Sequence, residues 1–220
     1  MNPFDWIVFD STGTLMIPSP EAAEVYAAVS SRYGAEATID DVRTRLKAAI
    51  HRHFFEGNEG SGTNQNHERE RWKKIVRDSV GLAGATLDLA FAELWRHFAS
   101  AQHWRLYDDV ELTIKRLRGK GYRIAVASNF DERLTAILQE MQIEDWFDAV
   151  LISAELGWSK PNTKFYDAAT ERLGATERNR LLMIGDTERG DVLAAKQAGW
   201  QARHLIRAGD ESLSQLVADL

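Results

Sequence analysis

A doubly wound α/β fold interrupted by one block of helices is what this sequence predicts, and three observations predict it. Five short apolar runs alternate with helical patterns in the second half of the chain. The first four of these runs are almost continuously apolar, as strands covered on both faces of a parallel sheet are. Between the first run and the second, about 85 residues read as helix only.

The first run is Trp6 to Phe9, followed by Asp10 and a Gly-Thr turn. The others are Tyr122 to Ala127, Ala149 to Ile152, Leu181 to Ile184 and Gln201 to Leu205, each bounded by Gly, Asp, Ser or Asn. Between them lie helical patterns over Asp108 to Lys120, Asp131 to Gln142, Pro161 to Leu173 and Arg189 to Ala198. Glycines 121, 174 and 199 follow three of these, and Pro161 opens one, which is the expected punctuation of helix ends. Alternating strands and helices imply right-handed crossovers and a single parallel sheet. The intervening block reads as helices over Glu21 to Tyr33, Asp40 to Phe55, His67 to Val80 and Leu87 to Ala99. A polar linker, 57–66, joins the second and third. The expected division is a core of residues 1–18 and 105–220 with a helical cap of residues 19–104.

Composition narrows the chemistry. The 220 residues carry a net charge of -6 and show no basic stripe, so nucleic acid is not an expected partner. There is no cysteine, which removes disulfides, thiol nucleophiles and cysteine-held metal centres. No positive segment precedes an apolar core at the N-terminus, and no apolar run reaches the ~20 residues of a membrane helix. A cytoplasmic protein with no membrane association is expected.

In open parallel sheets ligands bind beyond the carboxyl ends of the strands, where the strand order reverses. Four polar clusters fall at such ends: Asp10 to Thr14, Ser128-Asn129, Lys160 in the Gly157-Trp-Ser-Lys-Pro161 loop, and Gly185-Asp186-Thr187 with Asp191 five residues on. Each alone is ordinary turn chemistry. Together they supply carboxylates for a hard cation, a hydroxyl for an anionic oxygen and a lysine that suits phosphate. Such a set points to phosphoryl transfer, with a carboxylate as covalent nucleophile.

Asp10-x-Thr12-x-Thr14, Ser128, Lys160 and Gly185-Asp186…Asp191, in this order, resemble the four motifs of the haloacid dehalogenase-like hydrolases. The helical block between the first two motifs resembles the branch with helical caps. The resemblance implies a core sheet ordered 3-2-1-4-5, with the first and fourth core strands adjacent. It implies Asp10 as nucleophile, with Ser128 and Lys160 as further catalytic groups. Magnesium would be held by Asp10, the carbonyl of Thr12 and Asp186, with Asp191 in support. Thr12, Thr14, Ser128, Asn129 and Lys160 would contact a small phosphorylated substrate.

Thr12 departs from the pattern. Most phosphatases of this family carry there a second Asp that moves protons, and a threonine hydroxyl does not do so near neutral pH. Several readings follow. The chain is a magnesium-dependent phosphohydrolase or phosphotransferase whose leaving group needs no such acid, or whose donor is elsewhere, Glu188 being one candidate. Asp10-Ser-Thr-Gly-Thr also resembles the phosphorylation motif of P-type ATPases, where Thr stands at this position. Alternatively it is a 2-haloacid dehalogenase, a reading opposed by the acidic pair Asp186 and Asp191. A phosphonate hydrolase would need a cap lysine, and Lys47, Lys73 and Lys74 sit in solvated patterns. A catalytically weak phospho-ligand or protein binder is the remaining alternative. The histidines suggest no metal site, and Trp72, Trp95 and Trp104 are read first as cap core or the cap–core seam, with lining of the pocket as the alternative.

Overall fold

The computed structural model describes residues 2–56, 62–207 and 211–220. Of the polar linker 57–66, residues 57–61 therefore lie outside the described residues. Five parallel strands form the central sheet: β1 (Trp6–Phe9), β4 (Arg123–Ser128), β5 (Ala149–Ile152), β6 (Leu181–Gly185) and β7 (Gln201–His204). Their order is β5-β4-β1-β6-β7, which in core-strand count is the expected 3-2-1-4-5. Phe9 pairs with Val126 on one side and Ile184 on the other, so the ends of three strands share one rim.

Both faces of the sheet are covered, which explains the unbroken apolar runs. Ile7 and Phe9 point into one core with Ile114, Leu134 and Leu213, whereas Trp6 and Val8 point into another with Phe165, Tyr166 and Trp200. The flanking helices are α5 (Val110–Gly119), α6 (Arg133–Glu140) and α8 (Thr163–Arg172), each a residue or more shorter than its sequence pattern. Asn162, not Pro161, caps α8 through its side chain on the Lys164 N–H. Short helices α7 (Ser153–Leu156), α9 (Ala194–Gln197) and α10 (Leu213–Leu216) complete the core.

The inserted block is helical as expected: α1 (Ala22–Arg32), α2 (Ile39–Phe55), α3 (Gln65–Val80) and α4 (Gly84–His97). Thr38 and Asp41 form a capping box that starts α2, and Gly81, at φ 71°, ends α3 in the left-handed region. These helices bury a core of their own, built on Val29, Val42, Ile75, Ala90 and Leu94. Two three-residue strands were not expected. β2 (Met16–Pro18) and β3 (Trp104–Leu106) pair antiparallel, with Pro18 opposite Trp104. The chain leaves the sheet for the insertion and returns along this ribbon. Strands of three residues carry too little alternation to be seen in a sequence. Among the described residues no helix is long and apolar enough to cross a membrane.

Candidate active site

Asp10 follows β1, Ser128 ends β4, Lys160 follows α7, and Asp186 follows β6. The adjacency of β1, β4 and β6 brings them to one point. Lys160 is 3% exposed, and its ammonium donates to Asp10 Oδ1 (2.7 Å), Asp191 Oδ1 (2.5 Å) and the Ala127 carbonyl (2.9 Å). An ammonium has three donors, so all are used. Burial alone would depress the Lys160 pKa, but Asp10 and Asp191 more than offset this and raise it. The loop is fixed by Asn129. Its side-chain oxygen accepts from the Lys160 N–H and its amide donates to the Lys160 carbonyl, both at 2.8 Å. The role of Asn129 here is to position Lys160, although it also lines the cavity.

Oxygens of Asp10, Asp186 and Asp191 lie within 4.8 Å of one another, the one candidate metal cluster found among the described residues. Two glycines allow this approach. A Cβ on Gly13, whose φ is 91°, would lie 2.3 Å from Asp186 Oδ2, and one on Gly185 would lie 2.3 Å from Asp191. Burial pushes the Asp10 carboxyl up to about 8, with Lys160 pulling it down and Asp191 and Asp186 adding to the rise. Asp186 is also raised, by burial of its carboxyl and then by Asp191. Three carboxylates against one ammonium leave the site short of positive charge. This all-oxygen, anionic donor set fits a hard divalent cation such as magnesium.

The sequence pattern over Arg189 to Ala198 predicts an ordinary helix. Instead, Glu188–Leu193 is a π-helix that passes into α9. Such wide turns are frequent at functional sites. Here it swings Asp191 under Lys160, while the Asp191 Oδ2 accepts from the Thr187 N–H at 3.0 Å and Tyr166 Oη donates to the Gly190 carbonyl at 2.7 Å. Periodicity does not distinguish the two helix types over so few residues.

The remaining expected residues separate. Ser128 Oγ shares a 2.6 Å hydrogen bond with Ser11, a partner the sequence did not suggest. Thr12 is exposed and lines the cavity above Asp10. Thr14 is fully buried, does not line that cavity, and holds Arg207 through its carbonyl (2.7 Å). Glu188 is exposed and does not line the cavity either. Lys47 and Lys74 are exposed and Lys73 pairs with Asp88, so Lys160 is the one lysine at the cavity among the described residues.

The cavity has a volume of ≈ 370 Å³ and runs from Asp10 and Lys160 into the insertion. Trp72 and Trp95 pack against the insertion core and Trp104 sits in the sheet core, as expected, and all three also line the cavity. Tryptophan spacing on a helix marks an apolar face, and which part of that face meets a hollow is a tertiary fact. His53 pairs with Asp78 and His51 with Glu56, away from this site. His97 and His103 stack with ring centroids 3.5 Å apart where α4 meets the ribbon, a pairing the sequence did not suggest.

Residues 4–199 match the family of haloacid dehalogenase-like hydrolases. The chain belongs to that family. A hydrolase of Schizosaccharomyces pombe is 27% identical over 90% of this chain and 89% of its own length. The bovine haloacid dehalogenase-like hydrolase domain-containing protein 3 is 32% identical over 67% of this chain, a match that spans 59% of the relative. The pyrimidine 5'-nucleotidase YjjG of Escherichia coli is 36% identical over 38% of this chain and 37% of its own length. Among solved structures, a dehalogenase superposes with a TM-score of 0.74 at 21% identity, covering 100% of this chain and 98% of that one. The HAD-hydrolase YfnB of Bacillus subtilis, bound to magnesium, superposes with a TM-score of 0.71 at 17% identity over 92% and 88%. These likenesses establish the fold, and the helical insertion after the first strand places the chain among capped members of the family.

Proposed function

We propose that this hydrolase is a divalent-metal-dependent phosphohydrolase that acts on a small phosphorylated molecule through an aspartyl-phosphate on Asp10. The observation that carries the reading is the Lys160 ammonium held between Asp10 and Asp191, with the Asp186 carboxylate facing the same cavity. Magnesium, held by Asp10, Asp186 and the Thr12 carbonyl with Asp191 in support, would neutralise charge on the phosphoryl oxygens and on the carboxylates.

The chain's own groups do the rest. The free Asp10 oxygen attacks phosphorus, and the bond from phosphorus to the leaving oxygen breaks, its electron pair departing with that oxygen. The Ser128 hydroxyl donates to a phosphoryl oxygen, and the Lys160 ammonium, its hydrogens held by Asp10, Asp191 and the Ala127 carbonyl, offsets the charge that spreads over the phosphoryl group. Water then attacks the acyl phosphate, releases inorganic phosphate and restores the Asp10 carboxylate. Thr12 lines the cavity where a proton-moving carboxylate would be useful, and it offers a hydroxyl that neither gives nor takes a proton near neutral pH.

Two comparisons support this reading: the magnesium bound by YfnB and the phosphate-ester substrate class in the name of YjjG. The dehalogenase likeness concerns the fold, and an acidic pair at Asp186 and Asp191 has no part in halide displacement. The test is covalent. Labelled acetyl phosphate with magnesium should leave acid-stable, hydroxylamine-labile label on Asp10, absent in Asp10→Asn. Chloride released from 2-chloropropionate in the presence of a chelator, with no label, would overturn it.

A further inference from the structure

The cavity beyond the phosphoryl site is walled by Phe54, Trp72, Phe91, Trp95, Phe98 and Trp104, drawn from three insertion helices and the ribbon. These rings meet one another edge-on or tilted: Phe54 with Trp72 at 5.8 Å, Phe91 with Trp95 at 5.5 Å and Phe98 with Trp104 at 6.1 Å. A packed cap core would give the same residues without a hollow, because protein interiors have few voids larger than a water. Here a cavity of ≈ 370 Å³ stays open, running from Asp10 in among these rings. A largely apolar cavity of that size has the dimensions of a small-ligand pocket.

Charge is as informative as shape. Apart from the phosphoryl-site residues, Arg133 is the one charged side chain lining the cavity among the described residues. Its guanidinium is already spoken for. Nε and Nη2 each donate to an Asp131 oxygen at 2.7 Å, and its Cζ lies 3.4 Å from the Trp95 ring centroid. Both Asp131 and Arg133 are buried. Among the described residues that line this cavity no unpaired cation remains for a second anionic group on the substrate, and a sugar's hydroxyls would meet aromatic carbon.

Thr12 gives an independent constraint. With no acid beside the scissile bond, the leaving oxygen must depart as its anion, which a phenol does far more readily than an alcohol. Recognition and reactivity therefore agree. Resting on the phosphohydrolase reading, we infer that the substrate is a phosphate monoester of an uncharged aromatic alcohol, its ring seated among the insertion aromatics and its oxygen leaving as a phenolate. Nucleotides and sugar phosphates are excluded on the same grounds: their tails are polar or hydroxylated and their leaving oxygens are alkyl.

Binding of non-hydrolysable phosphonates to the magnesium-loaded protein, followed by calorimetry, tests this without turnover. The ring of 1-naphthylmethylphosphonate should give at least about 30-fold tighter binding than methylphosphonate, the scale expected for burying one aromatic ring. The half-buried Ile50 also lines the hollow, and Ile50→Asp, which sets a charge there, should erase most of that preference. 4-Carboxybenzylphosphonate should bind more weakly than benzylphosphonate. In turnover, 1-naphthyl phosphate should exceed uridine monophosphate in kcat/KM. A naphthyl preference below about threefold, equal tolerance of the carboxylate, or faster turnover of the nucleotide would each overturn the inference. Failure of the phosphohydrolase reading is seen separately, as absence of label on Asp10 from acetyl phosphate, which has no ring for the hollow to select.

Discussion

Replacing Lys160 by methionine removes the one cation that faces Asp10 and Asp191 while filling nearly the same volume. The ammonium hydrogens now go to Asp10, Asp191 and the Ala127 carbonyl, and the lysine, Asp10 and Asp191 are all buried. Breaking a buried ion pair from one side costs about 3–5 kcal/mol, because the partner charge stays behind without compensation. Two carboxylates stay behind here, so the upper end of that range is expected at alkaline pH. The sign with pH follows from the direction of the shift. Asp10 is already raised to about 8 in the wild type, and loss of Lys160 raises it further. A carboxyl whose folded pKa lies above its unfolded value of about 3.9 contributes stability fully present below that value and lost as pH rises through the folded one. Lys160→Met should therefore be destabilised most at pH 8 and above, and much less near pH 5, where the Asp10 carboxyl holds its proton. Magnesium at saturating concentration should restore part of the loss at pH 8. The assay is urea unfolding at pH 5 and pH 8, with and without magnesium. Equal loss at both pH values, or none at pH 8, would refute the charge argument.

Thr12→Asp places a carboxylate at an exposed cavity position, where it incurs little burial cost. It should raise alkyl phosphate hydrolysis by one order of magnitude or more, within the ~10²–10⁴ span of general acid–base catalysis, and change aryl phosphates less. Equal steady-state rates on the whole panel would show that another group already moves the proton. Asp186→Asn should weaken magnesium binding by at least about tenfold in calorimetry, since it removes one of three anionic ligands in reach of a shared ion; unchanged affinity would disprove the site. Burial and then the neighbouring His103 lower the His97 pKa, and its Nε2 is buried without a hydrogen-bond partner. Its protonation is favoured in the unfolded chain, so stability should fall as pH drops below about 6.5, and His97→Gln should flatten that acid limb in thermal melts between pH 7 and 5.

Much of this molecule is written locally. Trp6–Phe9 and Leu181–Gly185 are apolar on both faces because both faces are covered, and a single chain records that directly. Helix ends at Thr38, Asn64 and Gly81 are marked by residues whose side chains or φ angles end helices wherever they occur. Asp10, Ser128, Lys160 and Asp186 were legible as a set because parallel crossovers return every strand end to the same rim, so four separated turns become one site. Tertiary structure decided the rest. The β2–β3 ribbon is held by pairing across some 85 residues and has no periodicity of its own. The π-helix that turns Asp191 beneath Lys160 depends on what Tyr166 and Thr187 hold in place. Thr14 and Thr12 lie two positions apart in one loop, and only its path buries the first and exposes the second. The character of the hollow was likewise beyond the sequence. Periodicity shows that Trp72 and Phe91 lie on apolar faces, but whether two apolar faces close on each other or leave room for a ring is set by how far apart the backbone holds them.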